Sequence, residues 1–322
     1  MIAPCLASPG RGPGGEANTG VNNNFRFFEA GMRWLIVVGG VAATLAAAAS
    51  ALTFWQAVRL VRPVRAGFDL RPEELGATYE EVRFPGPAGA LSGWYFPGTN
   101  GRTLLGLHGV AGTRQQWLKP AVELQRRGYG VLIFDFRRHG ESEGRHTTFG
   151  DHEVRDVVAA LDYLAQRGDV NMERIGVMGL SLGAITAILA AAQLPQLKAV
   201  VAEAAFGDLM YDLGLAFKRY TGAPAFPFAH ITVFWGQLIT GARLDRIRPV
   251  EVIGKIAPRP LLIIGDLNDN LVDEPRTSQE LFERAGQPKA LWQVPDAGHI
   301  MAYDTAPQAY IARLDAFFRQ AL

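Results

Sequence analysis

Apolar and polar positions are patterned on three length scales along this chain, and each scale predicts a different element. The longest is a single run: from Trp34 to Val58 no residue is charged. The 22 residues from Trp34 to Trp55 would rise about 33 Å as a helix, against a hydrocarbon core of about 30 Å. The second scale is a set of short apolar runs bounded by turn residues, at 79–84, 91–96, 103–108, 131–136, 175–180, 199–203, 261–265 and 290–294. These read as eight strands. The third is helical spacing, at 120–127, 151–167, 182–193 and 307–320. The first two strands are joined by Pro85-Gly86-Pro87-Ala88-Gly89, a turn-rich link that suits an antiparallel pair. From there strands and helices alternate, which predicts an α/β domain with a mostly parallel sheet covered on both faces.

One of these junctions carries chemistry. Gly179-Leu180-Ser181-Leu182-Gly183 lies between an apolar strand and a helix, the setting of a nucleophile elbow. So tight a turn needs very small residues two before and two after the serine, and it projects the hydroxyl from the sheet edge. A serine nucleophile needs a base, and the base needs a group to orient it. Two acidic candidates, Asp266 and Asp269, follow the strand 261–265, and Asp296-Ala297-Gly298-His299 follows the strand 290–294. Asp269 lies 88 residues beyond Ser181, and His299 another 30 beyond Asp269. All of these positions fall just past C-terminal strand ends, where open α/β sheets collect their reactive groups. The order Ser, Asp, His is the one this architecture requires.

With two further motifs the sequence resembles the α/β-hydrolase superfamily over roughly residues 78 to 322. Leu107-His108-Gly109-Val110-Ala111-Gly112 is similar to that family's His-Gly loop. Asp135-Phe136-Arg137-Arg138-His139-Gly140-Glu141-Ser142-Glu143-Gly144 is similar to its D-x-R-x-H-G-x-S-x-G loop. The resemblance is closest to the serine aminopeptidase-like and dienelactone-hydrolase-like members. It implies an eight-stranded α/β-hydrolase fold and a serine hydrolase with Ser181 as nucleophile and His299 as base. Aligning Asp269-Asn270-Leu271-Val272 with the family's Asp-x-x-Val makes Asp269 the acid, with Asp266 as the alternative. The N–H groups of Leu182 and Val110 would form the oxyanion hole, and His108 and His139 would shape their own loops. This chain departs from many relatives in carrying Gly265-Asp266 where they carry His-Gly.

Composition narrows the function classes. A net charge of +1 offers no electrostatic footprint for nucleic acid, and a lone Cys5 excludes an intramolecular disulfide. The chain contains no H-E-x-x-H, C-x-x-C or phosphate-loop pattern, so neither metal nor cofactor is expected. A carboxylic-ester substrate of small-molecule size is the leading reading. A peptidase, amidase or thioesterase on the same residues is a second reading, with Glu203 as a candidate for holding a charged amine. A catalytically silent, membrane-tethered binding protein is a third. The segment 206–255 is expected to form a short cap. Its Phe206, Tyr211, Phe217, Tyr220, Phe234 and Trp235 suit either an apolar acyl substrate or simple packing onto the core. Oligomeric state stays open.

The amino-terminal part is of another kind. Residues 1–31, rich in Gly, Pro and Asn, are expected to be disordered, and Met32 is an alternative start. Residues 32–58 are expected to form a transmembrane helix or signal anchor, with tryptophans at both ends of the apolar run as in an aromatic belt. A cleavable signal peptide competes, because Ala49-Ser50-Ala51 is a small-x-small site; an Ala-rich core helix is a further reading. The length of the run favours an anchor. Residues 59–77 read as a linker, with Arg62-Pro63 and Arg71-Pro72. Arg59, Arg62 and Arg65 follow the span and Arg26 and Arg33 precede it, which by the positive-inside rule makes the cytoplasm the expected side for the catalytic domain, with the membrane side left open.

Overall fold

The computed structural model describes residues 20–322, and contacts divide the chain after Ala51. The first helix, α1, runs from Gly20 to Val61. Within it Phe25–Val61 is long and apolar enough to cross a membrane, and its most apolar stretch has no buried residue. The helix starts earlier than expected, taking in 20–31. Extending an existing helix adds one hydrogen bond for each residue ordered, so a nucleated apolar helix recruits its flank. The rest of the segment expected to be disordered lies outside the described residues. Past Val61, Arg62 still donates to the Val58 carbonyl (2.9 Å), and Pro63 disfavours any further helical residue.

The second unit holds the sheet. Its strands are β1 Glu80–Gly86, β2 Gly89–Phe96, β3 Thr103–Leu107, β4 Gly130–Phe134, β5 Ile175–Leu180, β6 Leu197–Glu203, β7 Leu261–Asp266 and β8 Lys289–Val294. They lie in the order β1-β2-β4-β3-β5-β6-β7-β8. The pairs β1–β2 and β2–β4 are antiparallel and all others parallel. The longer helices after α1 are α2 Leu118–Gln125, α3 Glu153–Ala165, α4 Leu182–Ala191, α5 Leu209–Thr221, α6 Ala225–Thr240, α7 Arg276–Arg284 and α8 Pro307–Ala321. Helices α5 and α6 lie between β6 and β7, in the segment expected to form a cap, and are called the cap below.

The inner strands β3, β4, β5 and β7 are buried along their whole length because both faces are covered, whereas the edge strands β1 and β8 are largely exposed or half-buried. Leu105, Leu107, Phe134, Val177 and Val200 pack on one side with Val157, Leu161 and Ile185 of α3 and α4. Their neighbours Leu104, Ile133, Met178 and Val201 pack on the other with Leu118, Leu124, Ile311 and Phe318 of α2 and α8. This two-sided burial fixes the sheet rigidly, so loops leaving its C-terminal edge converge at defined positions.

The residues after α1 are tied to that edge. Arg65 Nη1 donates to the carbonyls of His139 (3.1 Å), Gly140 (2.7 Å) and Ser142 (2.6 Å). The linker is thereby fastened to the loop that follows β4.

Candidate active site

Ser181 stands between the end of β5 and the start of α4 with φ 52° and ψ −113°, a backbone conformation that is strained for a side-chain-bearing residue. Two glycines make the turn possible. A β-carbon on Gly179 would lie 2.2 Å from the Gly183 carbonyl oxygen, and one on Gly183 would lie 2.0 Å from the Leu107 carbonyl oxygen. Both contacts are with backbone, so no side chain can move aside to relieve them. Ser181 N–H donates to the Glu203 carbonyl (2.9 Å) and Ile185 N–H donates to the Ser181 carbonyl (3.0 Å). The strain is held by hydrogen bonds on both sides of the serine.

The loops after β7 and β8 continue the pairing of their strands. Leu267 N–H donates to the Val294 carbonyl (3.1 Å) and Asn268 N–H to the Ala297 carbonyl (2.9 Å). This zipper carries Asp269 and His299 forward together. Asp269 Oδ1 accepts from the N–H groups of Leu271 (2.6 Å) and Val272 (3.0 Å), a local turn that fixes its rotamer. The other oxygen, Oδ2, is then 2.6 Å from His299 Nδ1, while His299 Nε2 is 2.9 Å from Ser181 Oγ. A carboxylate can only accept, so the Nδ1 proton points at Asp269 and the Nε2 lone pair faces the serine hydroxyl. The arrangement can take a proton from Ser181 and return it to a leaving group.

Asp266 is elsewhere. It ends β7, wholly buried, and its backbone carbonyl accepts from Asp269 N–H (2.9 Å). Burial, and then the neighbouring Glu203, push its carboxyl up to about 8. Glu203 is also buried, which pushes it up to about 7; it accepts from the Tyr310 hydroxyl (2.6 Å) and Ala302 N–H (3.3 Å). A carboxyl held neutral has no anion to offer an imidazolium. Of the two acidic candidates, Asp269 is the one in contact with His299.

Val110 and Leu182 flank the serine from two directions. Leu182 opens α4, so its N–H has no acceptor within the helix. The loop carrying Val110 passes over the serine: a β-carbon on Gly109 would lie 3.4 Å from Ser181 Cβ. That loop is held by a residue with no sequence signal. Gln116 Oε1 accepts from Gly109 N–H (2.8 Å), and only the packed loop brings the two together. His108 is structural: Nε2 accepts from Phe136 N–H (2.9 Å), so Nδ1 donates to the Gly109 carbonyl (2.7 Å). Burial lowers its pKa to about 4, which keeps the ring neutral in that role. His139 packs edge-on against it at 4.9 Å.

The rest of the loop after β4 is a scaffold. Asp135 pairs with Arg114, both buried, at 2.6 Å, and Arg137 pairs with buried Asp156 at 2.6 Å. On the cap side, the Tyr211 hydroxyl donates to Asp273 (2.9 Å), linking α5 to the loop that bears Asp269. Between them is a cavity of about 430 Å³ bounded by Ala216, Arg219 and Tyr220 on α5 and by Asp269 and Leu271 on the loop. Ser181 itself is only 2% exposed. Among the described residues, no group of three or more His, Cys, Asp or Glu side chains is arranged to hold a metal ion.

The pattern of the X-Pro dipeptidyl-peptidase (S15 family) matches residues 106–233, from the His-Gly loop through the elbow into the cap. The uncharacterized protein YqkD of Bacillus subtilis is 30% identical over 217 residues, 67% of this chain and 70% of that one. A Pyrococcus furiosus esterase superposes with a TM-score of 0.68 at 28% identity, covering 81% of this chain and 98% of its own. An α/β hydrolase from Penicillium, at 19% identity and a TM-score of 0.60, shares the fold over 76% of this chain and 99% of its own.

Proposed function

The chain belongs to the α/β-hydrolase superfamily, and from that premise we propose that it is a membrane-anchored serine hydrolase of carboxylic esters, with Ser181, His299 and Asp269 as its catalytic triad. The observation that carries the reading is the relay from Asp269 Oδ2 through His299 to Ser181 Oγ, at 2.6 and 2.9 Å. Ser181 Oγ attacks the ester carbonyl while its proton passes to His299 Nε2. The tetrahedral oxyanion is held by the Leu182 and Val110 N–H groups, placed before the charge develops. Collapse breaks the bond to the alkoxide, which takes the proton from His299. Water, activated by the same nitrogen, then releases the acyl group as an acid. Asp269 keeps the imidazole in the tautomer that both steps need.

The 28%-identical Pyrococcus neighbour is an esterase, which favours an ester over an amide. Against that, the family match over 106–233 is to a dipeptidyl-peptidase, and this keeps a peptidase as the second reading. Glu203, the candidate for binding a substrate amine, is buried and already accepts from Tyr310 and Ala302, which weighs against it. For the anchor, the support is the exposed, apolar α1. The deciding measurement is labelling of the full-length protein with a fluorophosphonate, alongside turnover of matched ester and anilide substrates. Labelling and ester turnover are expected in wild type, with turnover reduced by a factor on the order of 10⁴–10⁶ in Ser181→Ala. Turnover that survives this substitution would sink the reading. Preference for the anilide would move it to the peptidase.

A further inference from the structure

A second space in the globular unit is built from the end of α1 and the cap. It has a volume of about 340 Å³ and is walled by Trp55 and Leu60 on α1 and by Leu213 and Phe217 on α5. A ligand pocket of this size falls in the ordinary range for a small molecule, of about 300–1,000 Å³. Ala216 and Tyr220 border it as well, and the same two residues border the cavity beside Asp269. The two spaces therefore share a stretch of wall on α5. Their chemistry differs in degree: the groove's walls are mostly apolar, with Gln56 and Arg59 of α1 and Thr221 and Thr232 of the cap at its edge, whereas the cavity beside Asp269 has Lys218, Arg219 and the acidic loop around it.

The surroundings point to where an occupant would come from. The groove opens at the end of the helix that is long and apolar enough to cross a bilayer. At its rim Arg59 stacks on Trp55 at 4.6 Å, a pairing of aromatic and basic groups that suits a membrane–water interface. Trp235 of α6 packs edge-on against Phe54 at 5.4 Å. Yet α6 leaves Phe226 73%, Phe234 56% and Leu238 67% exposed, and Tyr220 of α5 is 65% exposed. So many large apolar side chains turned outward on one cap are unusual for a surface bathed only by water.

We infer that the groove between the last turns of α1 and helix α5 takes the acyl chain of a membrane-resident amphiphilic ester, whose polar part occupies the charged cavity beside Asp269. The apolar cap face then rests in the interfacial layer, and substrate passes from the bilayer along α5 towards Ser181. This rests on the hydrolase reading above and adds its substrate class.

The test uses full-length protein in phospholipid nanodiscs and compares kcat/KM for p-nitrophenyl palmitate with that for p-nitrophenyl acetate. Ala216→Phe plugs the groove from the cap, and Gln56→Phe plugs it from α1. Because several methylenes lose their contacts, the palmitate-to-acetate ratio is expected to fall about tenfold or more in both variants. An unchanged ratio in variants that still label with fluorophosphonate overturns the groove. Turnover of acetate but not palmitate by wild type overturns it too, while leaving the hydrolase standing. Wild type that neither labels nor turns over either ester overturns the hydrolase reading itself. Plugs on opposite walls keep the test decisive if one variant fails to fold.

Discussion

The C-terminal edge of the sheet and the cap face each other across the candidate site, but they are built from different material. At the elbow and in the loops bearing Asp269 and His299 the constraints are mostly backbone. Gly179 and Gly183 are required by contacts with carbonyl groups, Asp269 is aimed by two N–H groups, and the loops bearing Asp269 and His299 are zipped by main-chain hydrogen bonds. In the cap the constraints are side chains, such as Phe217 stacked on Phe228 at 6.4 Å and Trp235 on Phe54 at 5.4 Å. Backbone contacts admit few residue types, whereas apolar packing admits many of similar volume. On the proposed function, the reactive geometry is thus specified tightly and the cap loosely, which would leave substrate choice free to vary on a fixed frame.

The sharpest way to break this contrast is at the two acids. Asp269→Asn is expected to lower kcat by about 10³–10⁴-fold, because the amide would favour the wrong imidazole tautomer. Asp266→Asn replaces a neutral acid with a neutral amide and should change kcat by less than about tenfold. Steady-state kinetics on one ester compares them, and equal losses would mean that both carboxyls serve His299. Gly183→Ala drives a methyl group into the Leu107 carbonyl, so a loss of more than about 3 kcal/mol is expected in chemical denaturation. A stable Gly183→Ala protein would show the elbow to be looser than the backbone contacts imply.

A pH series tests the buried acids without touching the triad. Asp266 rises to about 8 and Glu203 to about 7 on folding, so the folded chain holds protons that the unfolded chain releases from near pH 4. Their contribution to stability is full below the unfolded values and is lost as pH climbs through 7 to 8. Melting temperatures at about pH 5 and pH 8 should therefore fall in wild type, and fall less in Asp266→Asn. Identical declines would remove Asp266 from the account. The smallest effect belongs to the cap. Phe234→Ser, on an exposed position, should shift stability by no more than about 0.5 kcal/mol in detergent, and a larger loss would show the cap face to be packed.

Much of the frame was legible beforehand. The inner strands could be read as short apolar runs because they are buried on both faces, and the edge strands because turn residues bound them. The Gly-x-Ser-x-Gly stretch could be read because its glycines answer to contacts within and immediately beside the turn. The cap could be recognised only as an aromatic-rich segment, since neither α5 nor α6 has a signal that says which side chains turn outward. Helix α1 was visible at its centre, yet its start at Gly20 was not, because helix extension depends on the neighbouring turn more than on the residue added.

By itself the sequence determined the strand and helix order, the nucleophile candidate and the succession of Ser181, an acid and His299, all of which depend on local pattern and chain direction. Only the tertiary structure shows which carboxyl reaches the imidazole, Asp269, and which is stripped of water beside Glu203, Asp266. It also brought Gln116 to Gly109 and the last turns of α1 to the cap. Those relations join residues through packing across the fold, and no spacing along the chain encodes the distance or the dielectric between them.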